Sequence, residues 1–205
     1  IGNMAAVDST GIDVHHTFAQ QTSGTMYVSF LFRMDANTTA GCFLHMGQTV
    51  IGTTFFARVW ANVGGTGIGL GIGTSAPTSY ITITPASTYL VVLKLDLGTK
   101  NYDLLVTDTF PTVEPATWSQ TITETTTYSN VGSIALRQFN AAQRQYVDAI
   151  RVGTTWADVV TSAPIATFNP INGAANVPIA SDITITFDEK VRNIDNSAIT
   201  TPSSL

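Results

Sequence analysis

Between Met26 and Met34 the chain reads MYVSFLFRM. Met26, Val28, Phe30, Phe32 and Met34 fall on one side, and Tyr27, Ser29, Leu31 and Arg33 on the other. A period of two is the signature of a strand with one buried face. The signature recurs along the chain. CFLHMG (42–47) is a second short strand and TFFARVWA (54–61) a third. Strict alternation puts Phe56, Arg58, Trp60 and Asn62 on one face of that third strand. It puts Phe55, Ala57, Val59 and Ala61 on the opposite, core-like face. SYITITP (79–85) alternates again, and YLVVLKLDL (89–97) is apolar enough to be a central strand. YDLLVTD, SIALRQF and QYVDAIRV follow. Breaks at Asn62-Val63-Gly64-Gly65, Ala76-Pro77 and Gly98-Thr99-Lys100-Asn101 supply turns. Residues 108–130, with Pro111, Pro115 and Trp118, read as a long loop. No 3.6-residue period is sustained, and helix is expected only as a turn near Thr154–Val159. About ten short strands with such punctuation predict an all-β sandwich or barrel.

Two stretches stand out against this pattern. In GTGIGLGIG (65–73), Ile68, Leu70 and Ile72 share a face, while Gly67, Gly69, Gly71 and Gly73 leave the other bare. A bare strand face lets a backbone, a ring or a ligand approach closely. No start in the run satisfies G-x-G-x-x-G, and no Gly-Lys follows, so it is not a phosphate loop. The second stretch is Gln145 to Val160, QYVDAIRVGTTWADVV. It reads as a last core strand closed by a cap, with Trp156 plugging one end of the sandwich. Asp148 is the anomaly there, because a charge within a sheet needs a partner.

Composition narrows the function. Charged residues make up 11% of the 205 positions, well below the ~25% of ordinary globular chains, and Thr and Ser take their place, as in β-rich exported modules. A net charge of −5 and scattered Lys and Arg argue against a nucleic-acid partner. No apolar run reaches the ~18 residues of a membrane span. The single cysteine, Cys42, forms no intrachain disulfide and reads as a small buried hydrophobe. Ile1-Gly2-Asn3 reads as a mature or internal start. Asn37-Thr38-Thr39 is a glycosylation sequon in a eukaryotic secretory host. His15 and His16, adjacent on a strand, point to opposite faces and make a poor metal pair.

Residues 20–160, through SFLFRM, FFARVWA, TYLVVLKLDL and IALRQF followed by YVDAIRVGTTWADV, resemble the laminin G-like or concanavalin A-like sandwiches of secreted proteins from Bacteroidetes and related bacteria. The resemblance implies two curved antiparallel sheets over residues 1–162, in a fold whose members bind glycans or proteins or serve as spacers. After Ser162-Ala163-Pro164, residues 163–205 are similar to the opening of a bacterial Ig-like domain, through Pro164, Asn169-Pro170, Gly173, Asn176-Val177-Pro178 and ITITFDEKV. That segment lacks the strands to close a sandwich. Either the polypeptide continues beyond Leu205, or something else covers the ITITF edge.

Three chemistries follow. Concanavalin A-like folds include the endoglucanases of glycoside hydrolase family 16, whose motif sets acidic residues on alternate positions of one strand. This chain has Glu114, Glu124 and Glu189 in separate contexts and no E-x-D-x-x-E run. No G-x-S-x-G elbow is present either. Enzymatic activity is therefore not expected. For metal, the resemblance implies a structural Ca²⁺ held by Asp148 together with main-chain carbonyls near the N-terminus, with Asp8 or Asn3 approaching if the first strand pairs with the last. The competing reading is a salt bridge from Asp148 to Arg33, Arg137 or Arg144, or a hydrogen bond to a turn. For ligand binding, Arg58, Trp60 and Asn62 on one strand and Arg137 on another form a groove if their faces coincide, overhung by Trp118 and Tyr128. The expectation is a non-catalytic carbohydrate-binding or adhesion module of a larger bacterial surface protein, secreted or at the cell surface. Its partner would be a glycan or a cell-surface protein. A structural spacer is the alternative, and a glycoside hydrolase the lesser one.

Overall fold

The computed structural model describes residues 4–8, 11–35, 39–138, 144–160, 166–171, 173–178 and 180–187. The sequon at 37–39 and the candidate calcium ligand Asn3 lie at least partly outside them. The chain divides into two compact units, Ile1–Thr161 and Ser162–Leu205.

The first unit contains β1 (Ala5–Val7), β2 (Val14–Gln21), β3 (Thr25–Met34), β4 (Gly41–Gly47), β5 (Phe56–Ala61), β6 (Gly67–Gly71), β7 (Ile81–Thr82), β8 (Thr88–Asp96), β9 (Asn101–Thr107), β10 (Gln120–Thr123), β11 (Val131–Leu136) and β12 (Gln145–Gly153), then a one-turn helix α1 (Trp156–Val159). They form two six-stranded sheets. Sheet A runs β1-β12-β3-β8-β9-β10 and sheet B runs β2-β11-β4-β5-β6-β7. Every pairing is antiparallel. The predicted all-β sandwich is thus observed. β10 lies inside the stretch read as loop, because four residues, two of them threonine, carry too weak a pattern to announce a strand.

The core is what the alternation in β3 demands. Met26, Val28, Phe30, Phe32 and Met34 are fully buried and face sheet B. Across the interface Phe43 stacks on Phe32, with centroids 4.9 Å apart, and meets Phe30 edge-on at 6.4 Å, the offset and T-shaped geometries that ring quadrupoles favour. β8 and β9 add Val91, Leu93, Leu95, Tyr102 and Leu104.

The outer face of sheet A is covered too. Trp156, Val159 and Val160 pack on Tyr27, Leu90 and Val92, with Trp118 beside them. Trp156 therefore lies over the sheet and does not plug the sandwich end. The reason is local. Thr155 and Asp158 form a capping box that turns the chain back after β12, and the Ser29 hydroxyl donates to Val159 O at 2.6 Å. Trp118 belongs to this cluster, 6.0 Å from Trp156 and edge-on. Glu114 fastens the same loop, pairing with Lys94 Nζ at 2.6 Å and accepting from Tyr27 Oη at 2.8 Å.

In the second unit, β13 (Ala166–Asn169) and β14 (Thr184–Phe187) form an antiparallel pair in which Phe168 opposes Ile185. Both side chains are exposed.

Candidate functional site

Two bulges decide where the polar side chains point. In β5, Ala57 has φ +47°, and the register against β4 slips between Leu44 and Met46. An inserted residue makes the side chains on either side of it miss their alternation. Phe56 and Val59 both face the core, and Phe55 and Arg58 both face outward. The expected faces of Phe55 and Phe56 are thus exchanged. Ala57 tolerates a left-handed backbone because it is small and its N–H is held by Glu124 Oε2 at 3.2 Å.

The outward turn of Phe55 assembles a cluster on the outer face of sheet B. The His45 ring, from β4, stacks on Phe55 with centroids 4.0 Å apart. Arg58 lies 5.3 Å from the Phe55 centroid. Arg137, carried past the end of β11 by a bond from its N–H to Phe43 O, lies 5.8 Å from the same centroid. Cations over an aromatic face are attracted by its quadrupole. Arg58 also donates from Nε to Phe55 O at 3.4 Å. His45 is buried and sits 3.1 Å from Met46 O through Nδ1, which makes Nδ1 the protonated nitrogen. Burial first, then the neighbouring Arg58 and Arg137, lower its pKa to about 4. Burial likewise pushes the Cys42 thiol up to about 12, so it is an inert hydrophobe, as its sequence context implied.

Trp60 continues this face one step along β5. It lies over β6, where the glycines leave room for it. A Cβ at Gly71 would come within 2.7 Å of Trp60 Nε1 and would also strike Ser75 O. A Cβ at Gly69 would lie 2.9 Å from Ser79 O and 3.0 Å from Pro77. The bare glycine face therefore receives both an aromatic ring and a crossing loop. Gly71→Ala is expected to cost about 1–3 kcal/mol by overpacking and to shift the tryptophan emission. Thermal melts and fluorescence spectra check this.

The structure brings Arg58 and Arg137 together around Phe55, with Trp60 next on the strand. It separates Asn62, which sits in the β5–β6 turn exchanging hydrogen bonds with Thr66. Neither Trp118 nor Tyr128 overhangs this face. Tyr128 stacks on Phe56 at 4.1 Å and hydrogen-bonds Tyr102. Three contributors were not identified from sequence. Phe55 was hidden by the bulge. His45 was visible only as one polar residue in an apolar run. Glu124 was hidden in a threonine tract. Its Oε1 accepts from the N–H groups of Gly73, Thr125 and Thr126 at 2.8–2.9 Å and from the Thr126 hydroxyl.

Asp148 lies in the second bulge, between Asp148 and Arg151 of β12. Its Oδ1 accepts from Ala149 N at 2.7 Å, stabilising the φ of +50° at Ala149. β1 does pair with β12, but Asp8 N donates to Gln138, and Arg33 pairs with Asp35. Among the described residues no three His, Cys, Asp or Glu side chains converge.

No family model and no curated protein matches this chain. Solved structures do. A sialidase superposes with a TM-score of 0.49 at 11% identity, over 71% of this chain and 14% of its own. The catalytic domain of the glycoside hydrolase family 131 protein from Coprinopsis cinerea gives 0.43 at 13%, over 69% and 61%. The lectin I-B4 from Griffonia simplicifolia gives 0.43 at 7%, over 69% and 80%. What the chain shares with them is an antiparallel two-sheet β-sandwich. The expectation of a non-catalytic module, and of no enzyme, is withdrawn, since a catalytic domain stands among the solved structures found similar. The expectation rested on linear motifs. Side chains such as His45, Arg58 and Arg137 come from three different strands or their ends, and no linear motif registers such a grouping.

Proposed function

We propose that residues 1–161 engage a carbohydrate on the outer face of sheet B, as a carbohydrate-active domain. The observation that carries this reading is the row Arg137, Phe55, Arg58 and Trp60, a set of flat rings and planar guanidinium groups on one sheet face. Saccharides offer both an apolar ring face and a belt of hydroxyls. Aromatic surfaces stack on the first and planar polar groups hydrogen-bond the second. The low charge and the Thr- and Ser-rich composition support an exported protein, and the resemblance over residues 163–205 supports the start of an Ig-like domain following the sandwich.

The test incubates the protein with a panel of polysaccharides and follows both binding, by calorimetry, and new chain ends, by mass spectrometry. A saccharide should be held or cleaved, and Trp60→Ala should weaken that engagement by about tenfold or more, a loss of ~1.4 kcal/mol, without changing the far-ultraviolet spectrum. A panel with neither binding nor cleavage would overturn the reading.

A further inference from the structure

We infer that the edge of the sandwich where β6 of sheet B approaches β10 of sheet A holds a second site, a cleft that takes a neutral mono- or disaccharide. The inference stands apart from the reading of the outer face of sheet B.

The cleft has a volume of about 390 Å³, near the lower end of the ~300–1,000 Å³ of small-molecule sites. Its walls come from both sheets and are pinned to each other. The Gln120 side chain of β10 accepts from Leu70 N at 2.7 Å and donates to Leu70 O at 3.3 Å. Glu124, just past β10, accepts from Gly73 N at 2.9 Å and Thr125 N at 2.8 Å. The Ser75 N–H closes a turn onto Ile72 O, and Pro77 lies so near Gly69 that a Cβ there would meet it at 3.0 Å. A cavity braced in this way is formed before a ligand arrives, so binding has little ordering cost to overcome.

The lining selects the ligand. Ile72, Pro77 and Ile122 supply apolar surface, and Thr74, Ser75 and Thr78 supply hydroxyls. Among the described residues these three hydroxyls reach no protein partner, and each is able both to donate and to accept. A neutral sugar is the complement, with a CH-lined ring face and a belt of hydroxyls. An anion meets no cationic side chain in the lining. Lys100, close by, turns its Nζ to Thr126 O at 2.9 Å. An extended peptide would need a strand edge to pair with, but Leu70 N and O are taken by Gln120, and Gly73 N by Glu124. No aromatic ring lines the cleft, so the affinity is modest, with a Kd on the order of 1 mM.

The experiment titrates the whole ¹⁵N-labelled chain with glucose, galactose, mannose, N-acetylglucosamine and cellobiose, and with glucuronate and trialanine as the charged and peptidic counterparts. At least one neutral sugar should shift the amide signals of residues 72–78 and 120–125 in a saturable way. Glucuronate and trialanine should bind about fivefold more weakly or worse. Ala76→Trp, at an exposed loop position that borders the cleft, should weaken the sugar about tenfold or more by filling the space. Arg58→Gln, on the outer face of sheet B, should leave these shifts unchanged. The location of the shifts in the unaltered protein keeps the test decisive if a variant misfolds. No saturable shift at these residues with any neutral sugar, equal or tighter binding of glucuronate or trialanine, or an affinity untouched by Ala76→Trp would each refute the cleft. Sugar-induced shifts confined to residues 55–60 would refute it while supporting engagement on the outer face.

Discussion

Glu124→Ala is expected to lower stability by about 3–5 kcal/mol, seen as a drop in the denaturant midpoint with little change in slope. The carboxylate is buried and accepts from four backbone N–H groups and one hydroxyl. It joins β5, the end of β6 and the loop after β10. Removing it strands the buried Ala57 N–H, whose left-handed backbone that bond supports. Hydrogen bonds to a charged group are worth more than neutral ones, and a buried donor left unpaired costs its full desolvation. Glu124→Gln keeps the acceptor oxygen on one arm and should cost roughly half as much. The loss should also reach the site, because the Ala57 bulge is what turns Phe55 outward. Near-ultraviolet circular dichroism of the two variants, compared at a temperature where both are folded, checks that link.

Acidification is expected to destabilise the sandwich by about 3 kcal/mol between pH 6.5 and 4, through His45. Its folded pKa, about 4, lies below the ordinary value of 6.5. In that window the unfolded chain binds a proton that the folded chain refuses, so stability falls as pH drops. Above pH 6.5 both states are neutral and the contribution is flat. The groups facing the ring are Arg58 and Arg137, which oppose its protonation, and Asp13, which favours it less strongly. Unfolding curves at half-unit steps should show the fall, and His45→Gln should flatten it. A His45→Gln profile parallel to that of the unaltered protein would assign the acid sensitivity to other groups.

Much of the fold was legible in local pattern. β3 and β8 were plain because both are long apolar runs, with Met26, Val28, Phe30, Phe32 and Met34 of β3 and Val91, Leu93 and Leu95 of β8 alternating into the core, while Tyr27, Leu90 and Val92 on the other face are covered by the Trp156 cluster. Cys42 and the glycine face of β6 were legible for similar reasons: one carries an apolar context, the other carries no side chains at all. β10 was not, since threonines satisfy a loop and a strand edge equally well.

The site was legible only in part. Arg58, Trp60 and Arg137 were visible as polar or aromatic residues on strands, but Asn62 proved to hold a turn, and Asp148 braces a bulge in the other sheet. Composition and alternation determined that this chain folds as two layered sheets with a phenylalanine-rich interior. The tertiary structure alone decided which polar groups meet. A single left-handed residue, Ala57, exchanges the faces of Phe55 and Phe56, and its N–H is held by Glu124, 67 positions away in sequence. No local pattern records a bond of that span, so the partnership of Phe55 with His45, Arg58 and Arg137 exists only once the sheets have closed.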